Sequence, residues 1–225
     1  MRPDGTEQRQ LTDTDYNGSP VVSGNGRHVV FTSNRTGSLQ LWRMGLDGSN
    51  QVQLTNGSGV QAPAISPDGR WIVYNSVDRW HLWKVSIDGG DPVRLVDGLA
   101  KYPSISPDGK WIACFGRDQR QKPRIMVVPL GGGRAAKDFD VSPRRLAAPR
   151  LHWSADGKAV IYAATRDGSA SLYKQSLNGG SPHRFLDLYE SDIFDFGLSP
   201  DGQHLAAVRG KWNHDVVLIR GFNQE

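Results

Sequence analysis

The residues that could perform chemistry in this sequence are few, and their spacing fits no common catalytic or metal-binding motif. No two of the six histidines are spaced as a metal-ligand pair; they are His28, His81, His152, His183, His204 and His214. The sequence contains no nucleophile elbow, no P-loop and no zinc-protease helix motif. The single cysteine, Cys114, excludes an internal disulfide and a cysteine-based metal cluster. Its apolar surroundings predict a small buried side chain and not a nucleophile.

One short segment matches the first half of a calcium-binding loop. Asp13, Asp15 and Asn17 occupy the alternating positions that begin such a loop, and Gly18 follows them. The position that should carry a bidentate glutamate is Gly24, and Asp and Asn also favour turns by hydrogen-bonding their own backbone. We therefore expect a turn and no cofactor, with calcium held by Asp13, Asp15 and Asn17 as the alternative.

The overall composition favours a β protein with an evenly charged surface. Many turns are expected from 26 Gly and 13 Pro, and 7 Trp, 7 Phe and 6 Tyr can fill a core between sheets. The formal charge is +4, with Lys and Arg interspersed among Asp and Glu, unlike a nucleic-acid footprint. No run approaches the roughly 18 apolar residues of a membrane helix, so we expect no membrane insertion. Residues 1–10 contain no apolar leader, so on the sequence as given we expect a cytoplasmic location, and the compartment stays open.

Two signatures recur along the chain with a common period. The first reads SGNG, SPDG, SPDG, SADG and SPDG, and its last residues are Gly26, Gly69, Gly109, Gly157 and Gly202. These glycines are 43, 40, 48 and 45 residues apart. The second signature begins at Asp4, Asp47, Asp88, Gly131 and Asn178, which are 43, 41, 43 and 47 residues apart. Two independent markers that share one period indicate a repeat protein.

Each repeat predicts four short strands. In one repeat, residues 61–66 form the first strand and lead into the turn S-P-D-G, where Pro favours the first turn position and Gly supplies a positive φ. Residues 70–75 and 81–87 read as the second and third strands, and residues 92–96 as the fourth. Apolar residues face both sides of these strands, as in stacked sheets. Four-stranded antiparallel sheets at this period, arranged radially, predict an all-β fold, the β-propeller.

We therefore predict a single β-propeller domain over residues 1–225. About five repeats fill it, spanning residues 13–55, 56–97, 98–140, 141–187 and 188–225. The segment 6–12 reads as a fourth strand without its first three, and the last repeat lacks its fourth strand. We expect the N-terminal strand 6–12 to pair with residues 215–220 and close the last blade. The alternative is that the sequence is a fragment of a longer protein, cut within a blade.

The repeats resemble the TolB-type WD-like β-propeller family. The shared pattern is x-P-x-x-S-P-D-G, then Arg or Lys and Ile two positions later, then Leu or Ile beside Trp or Tyr, and finally D-G-G. The resemblance covers essentially the whole chain and implies a rigid scaffold for protein or peptide binding. Such propellers occur in TolB and in the C-terminal parts of bacterial regulators and kinases. The resemblance therefore also implies the C-terminal part of a larger envelope or regulatory protein and, if a leader has been lost, the periplasmic location of TolB.

The two faces of the predicted ring differ in sequence. Antiparallel order places the S-P-D-G turns and the D-G-G turns on one face, here called the hairpin face. The opposite face, here called the loop face, carries the inter-blade loops and the loops between second and third strands. These loops are irregular and rich in Arg and aromatic residues, which are enriched at interface hot spots. We predict that a protein or peptide binds the loop face at the channel mouth through Trp80, Tyr102, Arg150, Phe194, Asp195 and Trp212.

Two further functions remain as alternatives. The inner strands contribute one carboxylate, Asp195, and one histidine, His152, whereas a glycosidase needs two opposed carboxylates. We therefore predict a non-enzyme; the alternative is a hydrolase with an Asp195–His152 couple, or an accessory or gating propeller of a hydrolase or peptidase. The other alternative is an acidic or nucleic-acid partner, which basic loop residues of the third and fourth blades would bind. These residues are Arg117, Arg120, Lys122, Arg124, Arg144, Arg145 and Arg150. We expect a protein or peptide partner, no nucleic acid, and a monomer.

Overall fold

All regular structure in the described part of the chain is β-strand. The computed structural model describes residues 8–13, 16–141, 145–166, 169–187, 192–199 and 201–210. Within these residues five antiparallel sheets follow one another along the chain. No helix long and apolar enough to cross a membrane occurs among them.

The first two sheets have four strands each. The first sheet contains β1 (Asn17–Val22), β2 (His28–Ser33), β3 (Gln40–Gly45) and β4 (Val52–Gln53). The second contains β5 (Val60–Ile65), β6 (Trp71–Ser76), β7 (Leu82–Ser86) and β8 (Val93–Arg94). The outer strands β4 and β8 have only 2 residues each, so β8 is shorter than the strand predicted over residues 92–96. Such short edges offer little backbone for pairing with another chain.

The next two sheets repeat this plan, and the fifth is described as two strands. The third sheet contains β9 (Ala100–Ile105), β10 (Trp111–Arg117), β11 (Pro123–Pro129) and β12 (Lys137–Asp140). The fourth contains β13 (Arg145–Trp153), β14 (Ala159–Arg166), β15 (Ser169–Ser176) and β16 (His183–Asp187). The fifth contains β17 (Asp192–Leu198) and β18 (Leu205–Gly210).

The sheets are arranged as the blades of a β-propeller. In every four-stranded sheet the strands lie side by side in chain order, from an inner first strand to an outer fourth strand. The inner strands β1, β5, β9, β13 and β17 contact one another in that order. The propeller fold predicted from the repeat period is therefore confirmed.

The S-P-D-G turns are shaped by their serine and aspartate side chains. In the second blade, Ser66 Oγ donates to Asp68 Oδ1 at 2.5 Å and accepts the backbone N–H of Trp71 at 2.9 Å. Asp68 Oδ1 also accepts the backbone N–H of Arg70 at 3.0 Å, and Gly69 has a φ of 72°. The Ser66 hydroxyl and then the Arg70 N–H hold the pKa of the Asp68 carboxyl below its usual value. The same contacts recur at Ser106, Ser154 and Ser199, and at Ser23 with Asn25 in place of the aspartate.

Apolar clusters fill the spaces between successive blades. Between the first two blades, Leu41 packs with Ile72 and Tyr74, whereas Val73 of the same strand β6 faces the third blade. Strand β6 is therefore buried on both faces, as the apolar pattern predicts. Cys114 lies in the cluster between the second and third blades, and burial raises the pKa of its thiol to about 12. The thiol is therefore protonated at neutral pH, as expected of a buried apolar side chain.

Cations on the hairpin face link each of the first three blades to the next. Their nitrogen atoms reach residues in the turns between third and fourth strands, namely Asp88, Leu130 and Leu177. The three contacts are Arg43 Nη1 to Asp88 Oδ1 at 3.0 Å, Lys84 Nζ to the Leu130 carbonyl at 3.2 Å, and Lys137 Nζ to the Leu177 carbonyl at 2.5 Å. The hairpin face thus carries structural contacts that repeat from blade to blade.

The predicted closure of the ring stays a prediction. Residues 6–7 and 215–220 lie outside the described residues, and residues 8–13 are not in a strand. Leu11 packs against the apolar cluster of Val29, Phe31 and Met44 on the first blade. The backbone carbonyl of Leu11 also accepts Gln51 Nε2 at 3.3 Å. The N-terminal segment therefore covers the face of the first blade that points away from the second.

Candidate binding site at the channel mouth

Each inner strand contains a β-bulge that shapes the channel wall. The pairing register shifts in all five inner strands, between Gly18 and Val21 in β1 for example. Ser19, Ala62 and Tyr102 occupy the bulge with φ of 48°, 52° and 53°, the left-handed region that costs a non-glycine residue on the order of 1 kcal/mol. A proline follows each of them, and the bulge suits proline because it has no N–H to offer the ladder.

All five inner strands line one open cavity of ≈ 360 Å³. Its wall includes the residue four positions before each turn serine, namely Ser19, Ala62, Tyr102, Arg150 and Asp195. Phe194 also lines this cavity. Four of the six predicted binding residues, Tyr102, Arg150, Phe194 and Asp195, therefore meet at the same cavity although they come from three different blades.

Arg150 and Asp195 form an ion pair across the boundary between the fourth and fifth blades. Arg150 Nε is 2.8 Å from Asp195 Oδ1 and 2.9 Å from Oδ2. Asp195 Oδ1 also accepts the backbone N–H of Phe196 at 2.9 Å. Both side chains are half-exposed, at 42% and 41%, so the pair adds little to stability and remains accessible to a ligand.

His152 and Asp195 each have another hydrogen-bond partner in the structure. Its Nε2 lies 2.8 Å from the backbone carbonyl of Phe196, and its ring packs on the Phe196 ring with centroids 4.7 Å apart. Burial is the main cause that lowers the pKa of His152, so the neutral ring with a proton on Nε2 fits this contact. His152 Nε2 is thus engaged with Phe196, and the Asp195 carboxylate with Arg150.

Trp80 and Tyr102 form the part of the mouth that belongs to the second and third blades. Their ring centroids are 6.4 Å apart with planes inclined at 49°. The Trp80 carbonyl accepts the backbone N–H of Ala100 at 2.9 Å, which anchors the loop before β7 to the start of β9. Lys101 Nζ lies 3.6 Å from the Trp80 ring centroid, a cation–π contact. Both aromatic rings are only partly buried, and Tyr102 also packs against the cluster between the third and fourth blades.

Asn75 supports this part of the mouth, and sequence reasoning did not select it. Its side chain is fully buried at the end of β6. Asn75 Nδ2 donates to the Ala100 carbonyl, and Oδ1 accepts the backbone N–H of Tyr102 at 2.8 Å. The amide therefore pairs two backbone groups of β9, one of them at the bulge residue Tyr102. A polar residue among the apolar residues of the strand 71–76 was the signal that could have identified it.

The remaining predicted residues fall outside this site or outside the described residues. Trp212 and Asp15 are not among the described residues, and neither is Arg144. Asn17 Oδ1 accepts a hydrogen bond from Arg35 Nη2 at 3.2 Å, which places a cation where calcium would be expected. Within the described residues no group of three or more His, Cys, Asp or Glu is placed to hold a metal ion.

Comparison with known proteins yields one family and several structural neighbours. The sequence model of the family described as "TolB beta propeller domain" matches residues 1–142. TolB from Acinetobacter baumannii has 20% identity and a TM-score of 0.68, with 90% of this chain and 51% of that chain covered. A putative TolB from Agrobacterium tumefaciens has 21% identity and a TM-score of 0.72, with 90% and 73% covered. Kuenenia stuttgartiensis hydrazine synthase has 19% identity and a TM-score of 0.70, with 93% and 59% covered.

These similarities concern the fold. The chain spans about half of the length of the Acinetobacter TolB chain, with 51% of it covered. No curated protein matches the sequence.

Proposed function

Because the chain belongs to the TolB β-propeller domain family, we propose that it is a non-catalytic scaffold that binds a protein or peptide across the mouth of its channel. The observation that supports this proposal is the gathering of Tyr102, Arg150, Phe194 and Asp195 around one cavity, with Trp80 against Tyr102. Partly exposed aromatic and Arg side chains on a rigid frame offer contact area with few rotamers to fix. The inner strands supply that rigid frame, because the backbone of each is hydrogen-bonded to the second strand of its blade.

The hairpin face also has a cavity, of ≈ 400 Å³ beside Trp111, Lys137 and Leu177, but none of the predicted binding residues that the structure describes lines it. Its turns are stereotyped, and three of its cations, Arg43, Lys84 and Lys137, contact the neighbouring blade. The loop face instead differs from blade to blade, and loops on a rigid scaffold commonly carry binding function. The proposed partner therefore approaches from the loop face.

We expect Trp80→Ala and Arg150→Ala each to weaken binding of the protein partner by about 2 kcal/mol, roughly 30-fold, since truncated hot-spot residues commonly lose this much. The partner is first recovered by affinity capture with the wild-type chain, then purified and titrated against each variant by calorimetry. Folding should change little because both side chains are only partly buried.

The hairpin face supplies matched controls for these two variants. Trp71 is also half-buried and carries Lys84 Nζ 4.6 Å from its ring centroid, and Arg43 pairs with Asp88. Trp71→Ala and Arg43→Ala should retain the affinity of the wild type. Full binding by Trp80→Ala and Arg150→Ala, together with loss of binding by either control, would contradict the proposed site.

We expect no ester, peptide or glycoside hydrolysis that depends on Asp195 or His152. Asp195 is engaged with Arg150, and His152 Nε2 with the Phe196 carbonyl, so neither is positioned to act on the other. A panel of chromogenic substrates, measured with the wild type and with Asp195→Asn and His152→Gln, tests this expectation. Turnover by the wild type that either substitution abolishes in a folded protein would show that the chain is an enzyme.

A further inference from the structure

Some cations of the loop face form ion pairs with carboxylates, and others do not. Arg124 pairs with Asp138, whose Oδ1 is 2.6 Å from Arg124 Nε, and also with Asp140. Arg150 pairs with Asp195. Lys101 and Arg117 have no carboxylate partner in the described part of the chain, where Lys101 contacts the Trp80 ring and Arg117 Nη1 donates to the Gln121 carbonyl at 2.8 Å.

Lys101 and Arg117 lie close together at the loop-face ends of neighbouring strands. Lys101 is the second residue of β9, Arg117 is the last residue of β10, and Lys101 pairs with Phe115 in the ladder. Burial, and then the charge of Arg117, lower the pKa of Lys101. The repulsion between these two cations is an unfavourable interaction that a bound anion would remove.

The neighbouring loop adds positive charge to the same corner. Its carboxylate, Asp118, accepts the backbone N–H groups of Arg120 at 2.8 Å and Lys122 at 2.9 Å. The Asp118 carboxylate therefore stabilises the loop, whereas the side chains of Arg120 and Lys122 are exposed to solvent. The corner formed by Trp80, Lys101, Tyr102 and Arg117 is thus aromatic and basic, and we call it the basic corner.

We propose that the basic corner receives an acidic segment of the protein partner, with a carboxylate held between Lys101 Nζ and the Arg117 guanidinium. An apolar or aromatic neighbour of that carboxylate packs on Trp80 and Tyr102. This inference rests on the proposed function and specifies the chemistry of its partner. Charge complementarity supports it, because an anion at this point pairs with two cations that otherwise repel each other.

The same observations favour an acidic protein over a nucleic acid. A single strand is commonly bound by a continuous positive groove with exposed aromatic faces for base stacking. Here Lys101 covers one face of Trp80. Asp138 and Asp140 of the third blade and Asp195 of the fifth pair with arginines and interrupt the positive charge of the loop face. The basic corner is therefore compact and suits a short acidic segment.

The test uses fluorescently labelled random copolymers of defined composition with the full chain. We expect the glutamate–tyrosine copolymer to bind at least about tenfold more tightly than the glutamine–tyrosine copolymer of equal length, since hydrogen bonds to charged groups are the stronger ones. Lys101→Met keeps the aliphatic stem over Trp80, and Arg117→Gln keeps a donor for Gln121. Each should weaken binding of the glutamate–tyrosine copolymer by about tenfold and reduce its salt dependence.

Lys110→Met is the matched control, because Lys110 is an exposed lysine of an S-P-D-G turn on the hairpin face. The inference is overturned if the glutamate–tyrosine copolymer does not bind, if Lys101→Met and Arg117→Gln bind it as the wild type does, or if Lys110→Met weakens it equally. It is also overturned if a mixed-sequence single-stranded oligonucleotide binds more tightly and depends on the same two residues. The proposed function is tested separately, by the binding of Trp80→Ala and Arg150→Ala to the natural partner. None of the results with copolymers or oligonucleotides changes that test.

Discussion

Asn75→Leu is expected to lower the free energy of unfolding by about 2–4 kcal/mol and to weaken partner binding at the mouth. Leucine fills a similar volume but leaves the Ala100 carbonyl and the Tyr102 N–H without their side-chain partner. The Tyr102 bulge, where φ is 53°, then loses the contact that offsets its strain. Urea unfolding measures the stability, and titration of the folded variant with the partner measures the affinity.

Gln175→Leu is the control for this prediction. Gln175 is another buried amide, and its Nε2 donates to the carbonyls of Ser176 and Gly180 in a turn on the hairpin face. Its replacement should destabilise the fold but leave partner affinity unchanged. If Asn75→Leu retains both stability and affinity, or if Gln175→Leu lowers affinity as much, Asn75 does not support the mouth in the way described.

Trp153→Ala is expected to destabilise the protein by roughly 3–5 kcal/mol, the range for removal of a large core aromatic. Trp153 is 8% exposed and belongs to the cluster between the third and fourth blades. Its Nε1 donates to the Ser104 carbonyl of β9 at 2.9 Å, so it joins two inner strands directly. Chemical denaturation of the variant, followed by circular dichroism and tryptophan fluorescence, gives the change in free energy.

Trp153→Phe keeps an aromatic ring in the cluster but removes the N–H donor and part of the indole ring. We therefore expect a smaller loss than for alanine, about 1–2 kcal/mol. A loss below about 1 kcal/mol for Trp153→Ala would mean that the two blades do not depend on this contact.

The fold could be predicted from sequence because its determinants are local and repeated. The serine and aspartate of each S-P-D-G turn bond to backbone groups within five residues, as Ser66 does with Trp71. Each turn therefore specifies its own hairpin, and the common period indicates that the hairpins stack in the same way. The division into a hairpin face and a loop face follows from the same antiparallel order.

The contacts that build the site could not be predicted, because they join residues far apart in sequence. Asn75 reaches Tyr102 over 27 residues, and Arg150 reaches Asp195 over 45. Both contacts depend on how one blade is placed against the next, which composition and turn chemistry do not specify. The same reason explains why Asp195 and His152, the candidate acid–base couple of the sequence, have other partners in the structure.

The bulge position of the inner strands has a consequence for how such a protein can evolve. Ser19, Ala62, Tyr102, Arg150 and Asp195 stand at the same step of successive inner strands, yet they differ in size, polarity and charge. The surrounding turns and inter-blade cores hold the backbone at this position even where the side chain is half-exposed, as at Arg150 and Asp195. Single-codon changes at such exposed positions can therefore alter what the channel recognises at little cost to folding, and duplication of a blade adds one more such position.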